Sequence, residues 1–517
     1  MRVSRRAALG GLVALGTLAT VRSTGLGSSA LAQTSERFPN PLMIPPVLHG
    51  REEAGRRIFD LEAQHGTTEF FAGRKTPTIG VNGAFLGPVV RAKAGEQVRL
   101  NVRNGLDETT TLHWHGLHIP ARADGGPHQT ISPGVTWSPE FEIKQKAGLF
   151  WYHSHMMERT GAQVNAGLAG PIIVDDDESQ ALGLPAEYGI DDIPLVIQDR
   201  RFRRDGRFDY LSAMPDVMMG FKGDVILVNG TVAPHFEVKR RRTRLRILNG
   251  SNSRIYTLGL SNNQQFTQIA SDGSLLERPA RMRRLQLSPG ERAEILVEIQ
   301  PDSTVRLMSY PDRSSGGGMG MMMGMAGNDE TFALLELRAG RLEGDAPPLP
   351  ERLIDVPNWN PARVDRKRTF VLEMGMGMGM MGGGMGRGMM GGGMMGGPGR
   401  MGMMRGGMTI NGRTMDMERI DERVRLGATE IWAIRNASPL AHPFHIHDIQ
   451  FRVLDRNGRP AGAHEQGLKD TVLVDPGETV RVITQFTDYA DPVRPYMYHC
   501  HILEHEDAGM MGQFVVV

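Results

Sequence analysis

Apolar and polar residues alternate over short stretches along most of this chain. Val98-Arg99-Leu100-Asn101-Val102, Arg244-Leu245-Arg246-Ile247-Leu248, Glu294-Ile295-Leu296-Val297-Glu298-Ile299 and Val480-Arg481-Val482-Ile483 are alternating or β-branched and bounded by Gly, Pro and Asn. A period of two sends successive side chains to opposite faces, so each stretch predicts a strand. Long amphipathic helical periodicity is scarce. Many short strands between Gly/Pro turns predict an all-β chain of sandwiches or Greek-key barrels. A weak internal repeat divides it: Val81-Asn82-Gly83, Val228-Asn229-Gly230 and Ile410-Asn411-Gly412 each precede a strand ending in an asparagine, Asn104, Asn249 and Asn436. Three units follow, 33–180, 190–340 and 352–517, with acidic or proline-rich linkers around 175–194 and 341–361.

Histidine clusters are laid over this pattern. His113/His115, His153/His155, His445/His447 and His499/His501 are four His-x-His pairs, with His442 before the third and His505 after the fourth. In extended backbone such a pair aims both imidazoles one way and the middle residue the other. Cys500, the only cysteine of the chain, is the middle residue of the last pair. A lone thiol forms no internal disulfide and no cysteine-rich cage. One thiolate, imidazoles and a weak thioether, here Met510, suit copper in a blue electron-transfer site. His499 and His501 then face one centre and Cys500 another, a few covalent bonds apart. Eight paired imidazoles suffice for a three-copper cluster, and His442, Cys500, His505 and Met510 for a separate mononuclear site.

At these residues the chain resembles the multicopper oxidases, most closely the Met-rich, secreted bacterial copper-efflux oxidase and laccase branch, over nearly all of the chain beyond residue 32. The resemblance implies three cupredoxin-like Greek-key β-sandwich domains and four copper ions, with every ligand in the first and third domains and the middle one a spacer. It gives the type 1 copper His442, Cys500, His505 and, axially, Met510; the type 2 copper His113 and His445; and the paired type 3 coppers His115, His153, His155, His447, His499 and His501. Implied with them is one-electron oxidation of Cu(I), another metal ion or a small reducing substrate at the type 1 copper. Electrons pass through Cys500, and dioxygen becomes water at the cluster. Copper tolerance is the implied role; a laccase acting on phenols and aromatic amines is the alternative, and a non-enzymatic copper scavenger a third. Asp124 and Glu506 match acids that relay protons, whereas His118, His128 and His464 match no ligand position. Two departures stand out. Ser438-Pro439-Leu440-Ala441 precede His442 where copper-efflux oxidases tend to carry acidic and Met residues, and Asp448 stands where glycine is more typical.

The net charge of +1 includes Arg2, Arg5, Arg6 and Arg22 of residues 1–32, which hold no acid, so the remainder is near −3. Nothing in that balance suggests a nucleic-acid or membrane surface, and a monomer is expected. The Lys239–Arg246 run predicts a solvated strand or edge. Ser4-Arg5-Arg6, the apolar run Ala7 to Val21 and Ala30-Leu31-Ala32 before Gln33 read as a twin-arginine export signal, placing the processed chain in the periplasm or outside the cell. Residues 316–325 hold five methionines, and residues 374–408 hold fourteen methionines and seventeen glycines. Ordering so many glycines is entropically costly, so mobile loops are expected, their thioethers suited to collecting Cu(I).

Overall fold

The computed structural model describes residues 37–311, 330–375 and 407–517. Their strands form six sheets, two to each of three sandwiches. In the first, Arg56–Phe71 and Gln97–Asn104 face Val89–Lys93, Gly148–His153 and Ala169–Asp175 across a core containing Leu100, Trp114 and Tyr152. In the middle sandwich, Asp192–Arg200, Arg242–Asn249 and Arg292–Glu298 face Pro234–Arg240, Tyr256–Leu260 and Phe332–Glu343. In the third, Arg366–Met374, Thr429–Asn436 and Thr479–Gln485 face His442–Ile446, Asp491–Cys500 and Met511–Val516.

The repeated asparagines explain the repeat. Asn82, Asn229 and Asn411 adopt φ of 54°, 51° and 54°, a left-handed turn that asparagine tolerates. Their side-chain oxygens accept from the backbone of Glu62, Val196 and Val371 in the adjoining strand. Asn104, Asn249 and Asn436 each accept from the backbone N–H two residues on, closing the same turn at the end of a later strand.

Three details differ from expectation. The strand Asn40–Pro41 pairs in parallel with Pro234–Arg240, so the chain touches the middle sandwich before entering the first. The basic run is only partly solvated: Arg244 and Arg246 are buried, bonded to Glu294, and Arg246 also to Asp192. Acids on the two flanking strands, at matching register, neutralise them. The tract 374–408 lies mostly outside the described residues, as does 316–325, but its two ends are strand. Met374 pairs antiparallel with Met408 on the third sandwich.

Candidate metal centre

His113 and His115 share one short strand, with Trp114 between them pointing into the first core, and His113 is paired across the sheet with His153. In the third sandwich His445 stands opposite His499 and Phe444 opposite Cys500. The chain leaves strand geometry after His153, Ile446 and Cys500, so only the first pair is wholly extended. Alternation nevertheless holds at the last: Cys500 joins the third core, while His499 and His501 turn to the first domain's histidines.

The eight imidazoles are buried to within 1% of their surface. His113, His153, His445 and His499 each donate Nδ1–H to a backbone carbonyl, of Asp124 (2.8 Å), Ser154 (2.7 Å), Asp470 (2.9 Å) and Cys500 (3.1 Å). Such a bond fixes the tautomer and leaves Nε2 as a lone pair facing inward. His115 is held the other way round, Nε2–H donating to Asp470 Oδ1 at 2.9 Å, which leaves Nδ1 inward. Nε2 of His499 lies 3.2 Å from Nε2 of both His155 and His447. Ring centroids of His115, His153 and His501 are 5.0, 5.4 and 5.7 Å apart, and those of His113 and His445 are 6.0 Å apart. Nε2 of His113, His153 and His445, Nδ1 of His115 and both ring nitrogens of His501 have no hydrogen-bond partner. Burial, with the neighbouring rings, holds His113, His155, His447, His499 and His501 well below the ordinary imidazole value. Buried lone pairs that converge without protons between them are costly unless cations lie between. This donor set fits copper.

Three carboxylates surround the cluster. Asp124 accepts from His447 Nδ1 at 2.9 Å, its own carbonyl taking the bond from His113. Gly125 makes that approach possible: its φ is +76°, and a Cβ there would meet the Leu112 carbonyl oxygen at 1.9 Å. Glu506 places one oxygen 3.3 Å from His155 Nδ1 and the other 3.3 Å from His499 Nδ1. Burial pushes both carboxyls well above the ordinary range, Asp448 adding to Asp124 and Asp507 to Glu506. The third acid, Asp470, gave no signal in the sequence. Its side chain takes His115, its carbonyl takes His445, and Arg292 clamps its two oxygens at 2.8 and 2.6 Å. Burial opposes its charge, yet Arg292 and His115 hold it well below the usual carboxylate range.

The second constellation has a different character. His442 Nδ1 lies 3.2 Å and His505 Nδ1 3.8 Å from Cys500 Sγ, and the two nitrogens are 3.3 Å apart. Their outer nitrogens bond Ser438 Oγ at 2.7 Å and the Met218 carbonyl at 3.1 Å. Met510 is fully buried in the same core, and backbone bonds from Cys500 N–H to Met510 O and from Met510 N–H to His505 O close the strap around it. Burial pushes the Cys500 thiol up, so a thiolate here needs a cation beside it. His505 is lowered to about 4 by burial.

The middle domain is more than a spacer. It supplies Met218 to one centre and Arg292 to the other, and its Gly290, at φ +83°, lets the backbone pass where a Cβ would lie 3.0 Å from the His501 ring. It also grips the helix Leu503–Asp507: Glu504 accepts from Tyr210 Oη, Asn252 Nδ2 and Phe221 N–H. Asp448 has φ of 69°, the conformation that glycine favours, and its carboxylate accepts from His118 Nδ1 at 2.8 Å. His118 also bonds Asp488, and His128 bonds Gln513; neither joins the metal groupings, and His464 lies near Glu465.

Fold and site together define a three-domain copper redox protein with one mononuclear thiolate pocket and one multinuclear imidazole cluster. Residues 62–179, 208–310 and 395–517 each match a family profile described as multicopper oxidase. The multicopper oxidase mco of Staphylococcus aureus is 35% identical over 489 residues, 93% of this chain and 94% of that protein. The cell division protein FtsP of Pectobacterium atrosepticum is 34% identical over 507 residues, 96% of this chain and 98% of that protein. Among solved structures, the laccase-like multicopper oxidase CueO of Ochrobactrum sp., described as having oxidase activity towards lignin model compounds and lignosulfonate, superposes with a TM-score of 0.79 at 38% identity, covering 92% of this chain and all of that one. The chain belongs to the multicopper oxidase family, an oxidoreductase class that uses copper, dioxygen and a reducing substrate.

Proposed function

We propose that the donor is Cu(I) or another reduced metal ion and that the role is copper tolerance. In this reading His442, Cys500, His505 and Met510 hold the type 1 copper, and His113 with His445 the type 2. The type 3 pair is held by His115, His153 and His501 on one side and by His155, His447 and His499 on the other. Four copper ions bound there supply the one-electron steps that reduce one dioxygen to two waters. The observation that carries the reading is the double set of inward nitrogens joined by His499-Cys500-His501, with Cys500 in one set and both its neighbours in the other. Asp124 and Glu506, kept protonated by burial, stand against His447 Nδ1 and His155 Nδ1 and supply protons there. Asp470, kept ionised by Arg292, fixes the His115 and His445 tautomers.

The metal-ion donor is supported by the methionine tracts 316–325 and 374–408. A laccase is the second reading, favoured by the likeness to the Ochrobactrum protein. Oxygen uptake by copper-loaded protein with Cu(I) and with a phenol decides between them. We expect kcat/KM for Cu(I) to exceed that for the phenol by about tenfold or more; the reverse order makes the protein a laccase. The Arg5-Arg6 leader supports export of a folded monomer, which cell fractionation and sedimentation check.

A further inference from the structure

His442, Cys500, His505 and Met510 are each 0% exposed, so a donor in solution touches none of them. The electron has to cross covering atoms, and the two outer nitrogens show which. His442 turns its own to Ser438, itself buried, whereas His505 bonds the carbonyl of Met218, a residue 39% exposed. One hydrogen bond and the bonds of Met218 therefore link His505, a ligand in the proposed type 1 site, to solvent. Met218 closes the helix Met214–Met218; Met214 is 44% exposed, and Met219 follows, half-buried.

Met214 and Met218, four residues apart, share one face of the helix whose last carbonyl covers His505, and Met219 is the next residue in the chain. Only seven large apolar side chains among the described residues are prominently exposed, and Met214 and Met218 are the two of them that share one helix. An exposed apolar side chain gains little from packing, but a thioether is a soft neutral donor that favours Cu(I) over harder ions. The helix is also pre-set. Asp216 accepts from Ala213 N–H at its start, and Arg201 grips both Asp216 oxygens at 3.1 and 2.6 Å. That carboxylate is already neutralised, so the patch offers little to a hard divalent cation.

We propose that Met214, Met218 and Met219 form the docking site for the cuprous donor and that Met218 is the residue through which its electron enters. The proposal rests on the metal-ion reading of the function. Each docked Cu(I) gives up one electron and leaves as Cu(II), which thioethers hold poorly. Four such donors and four protons account for one dioxygen reduced to two waters.

The test uses the full-length, copper-loaded protein and the triple variant Met214→Leu, Met218→Leu, Met219→Leu. Leucine keeps the bulk, and the bond to His505 comes from the Met218 backbone, so the type 1 absorption should not change. The KM for Cu(I) should rise about tenfold while kcat/KM for a phenol stays within about twofold. Independently of turnover, methionine-methyl NMR of the wild type titrated with redox-inert Ag(I) should shift the Met214 and Met218 resonances well before that of Met43, an exposed methionine between the strands Asn40–Pro41 and Val47–Leu48. An unchanged KM for Cu(I), or Met43 shifting in step with Met218, overturns the proposal. If the triple variant loses its type 1 absorption, the single variant Met218→Leu replaces it under the same criteria. Wild-type protein that does not oxidise Cu(I) at all instead sinks the functional reading, with the Ag(I) titration still judging the site.

Discussion

Around the imidazole cluster the outer groups are Asp124, Glu506 and Asp470, with Arg292 beyond; around Cys500 they are a serine hydroxyl, a peptide carbonyl and the packed third core. Adjacent residues meet these two surroundings, Cys500 one and its neighbours His499 and His501 the other. The difference follows from what each centre must move. In the proposed reading oxygen reduction consumes protons as well as electrons, and the cluster's histidines are backed by acids, two whose carboxyls burial pushes well above the ordinary range and one that, against its burial, Arg292 holds well below it. A site that only relays electrons gains from little reorganisation, and neutral, fully packed partners provide it.

The largest break in that contrast comes from Cys500→Ser. Turnover with any donor should fall by about a thousandfold or more and the intense blue absorption should vanish, because no other thiolate exists in the chain. A blue band that survives in the visible spectrum removes the type 1 assignment. Asp124→Asn probes the other side: the oxygen of the amide still accepts from His447, but the proton is gone. We expect the blue band and its bleaching by reductant to be intact and turnover to drop by about a hundredfold. Wild-type turnover in steady-state assays counts against the proton role.

A smaller effect concerns the interface of first and third domains. Burial alone would lower His118, but Asp448 and Asp488 raise it to about 9. A folded value above the unfolded one of about 6.5 means that its contribution is complete below that pH and is lost as pH rises through about 9. Thermal melts should therefore show stability falling between about pH 7 and 9.5, with a flatter profile in His118→Asn. Identical profiles exclude this pair as an interface lock. The smallest expected change in stability is for deletion of residues 376–406 with a short glycine link. The paired ends Met374 and Met408 stay in place, and loop length enters only logarithmically, so the cost should be under about 1 kcal/mol. If the tract collects Cu(I) and obstructs bulky donors, kcat/KM should fall for Cu(I) and hold or rise for phenols; equal losses make it a support of the fold.

What the sequence made legible was local. Two-residue alternation gave the strands, the Asn-Gly turns gave the threefold repeat, and His-x-His gave the converging histidine faces, because each depends on neighbours a few positions apart. Asp470 and Arg292 escaped for the opposite reason. Leu468-Lys469-Asp470-Thr471 looks like any strand start, and its meaning comes from His115, 355 positions earlier, and from Arg292, 178 positions earlier. Met218 was equally silent, since the atom that matters is a backbone carbonyl. Arg244 and Arg246 misled because charge patterning cannot see Asp192 and Glu294 on the flanking strands. Asp448 became intelligible only with its φ of 69° and its bond to His118.

The central claim is that one strand end serves two separate copper centres, and copper counting on wild type and Cys500→Ser tests it most directly. Metal analysis of fully loaded protein should find four coppers in the wild type and three in the colourless variant, with the dioxygen-binding cluster intact by its near-ultraviolet absorption. A variant that loses all its copper, or a wild type that never holds more than one, would contradict the account.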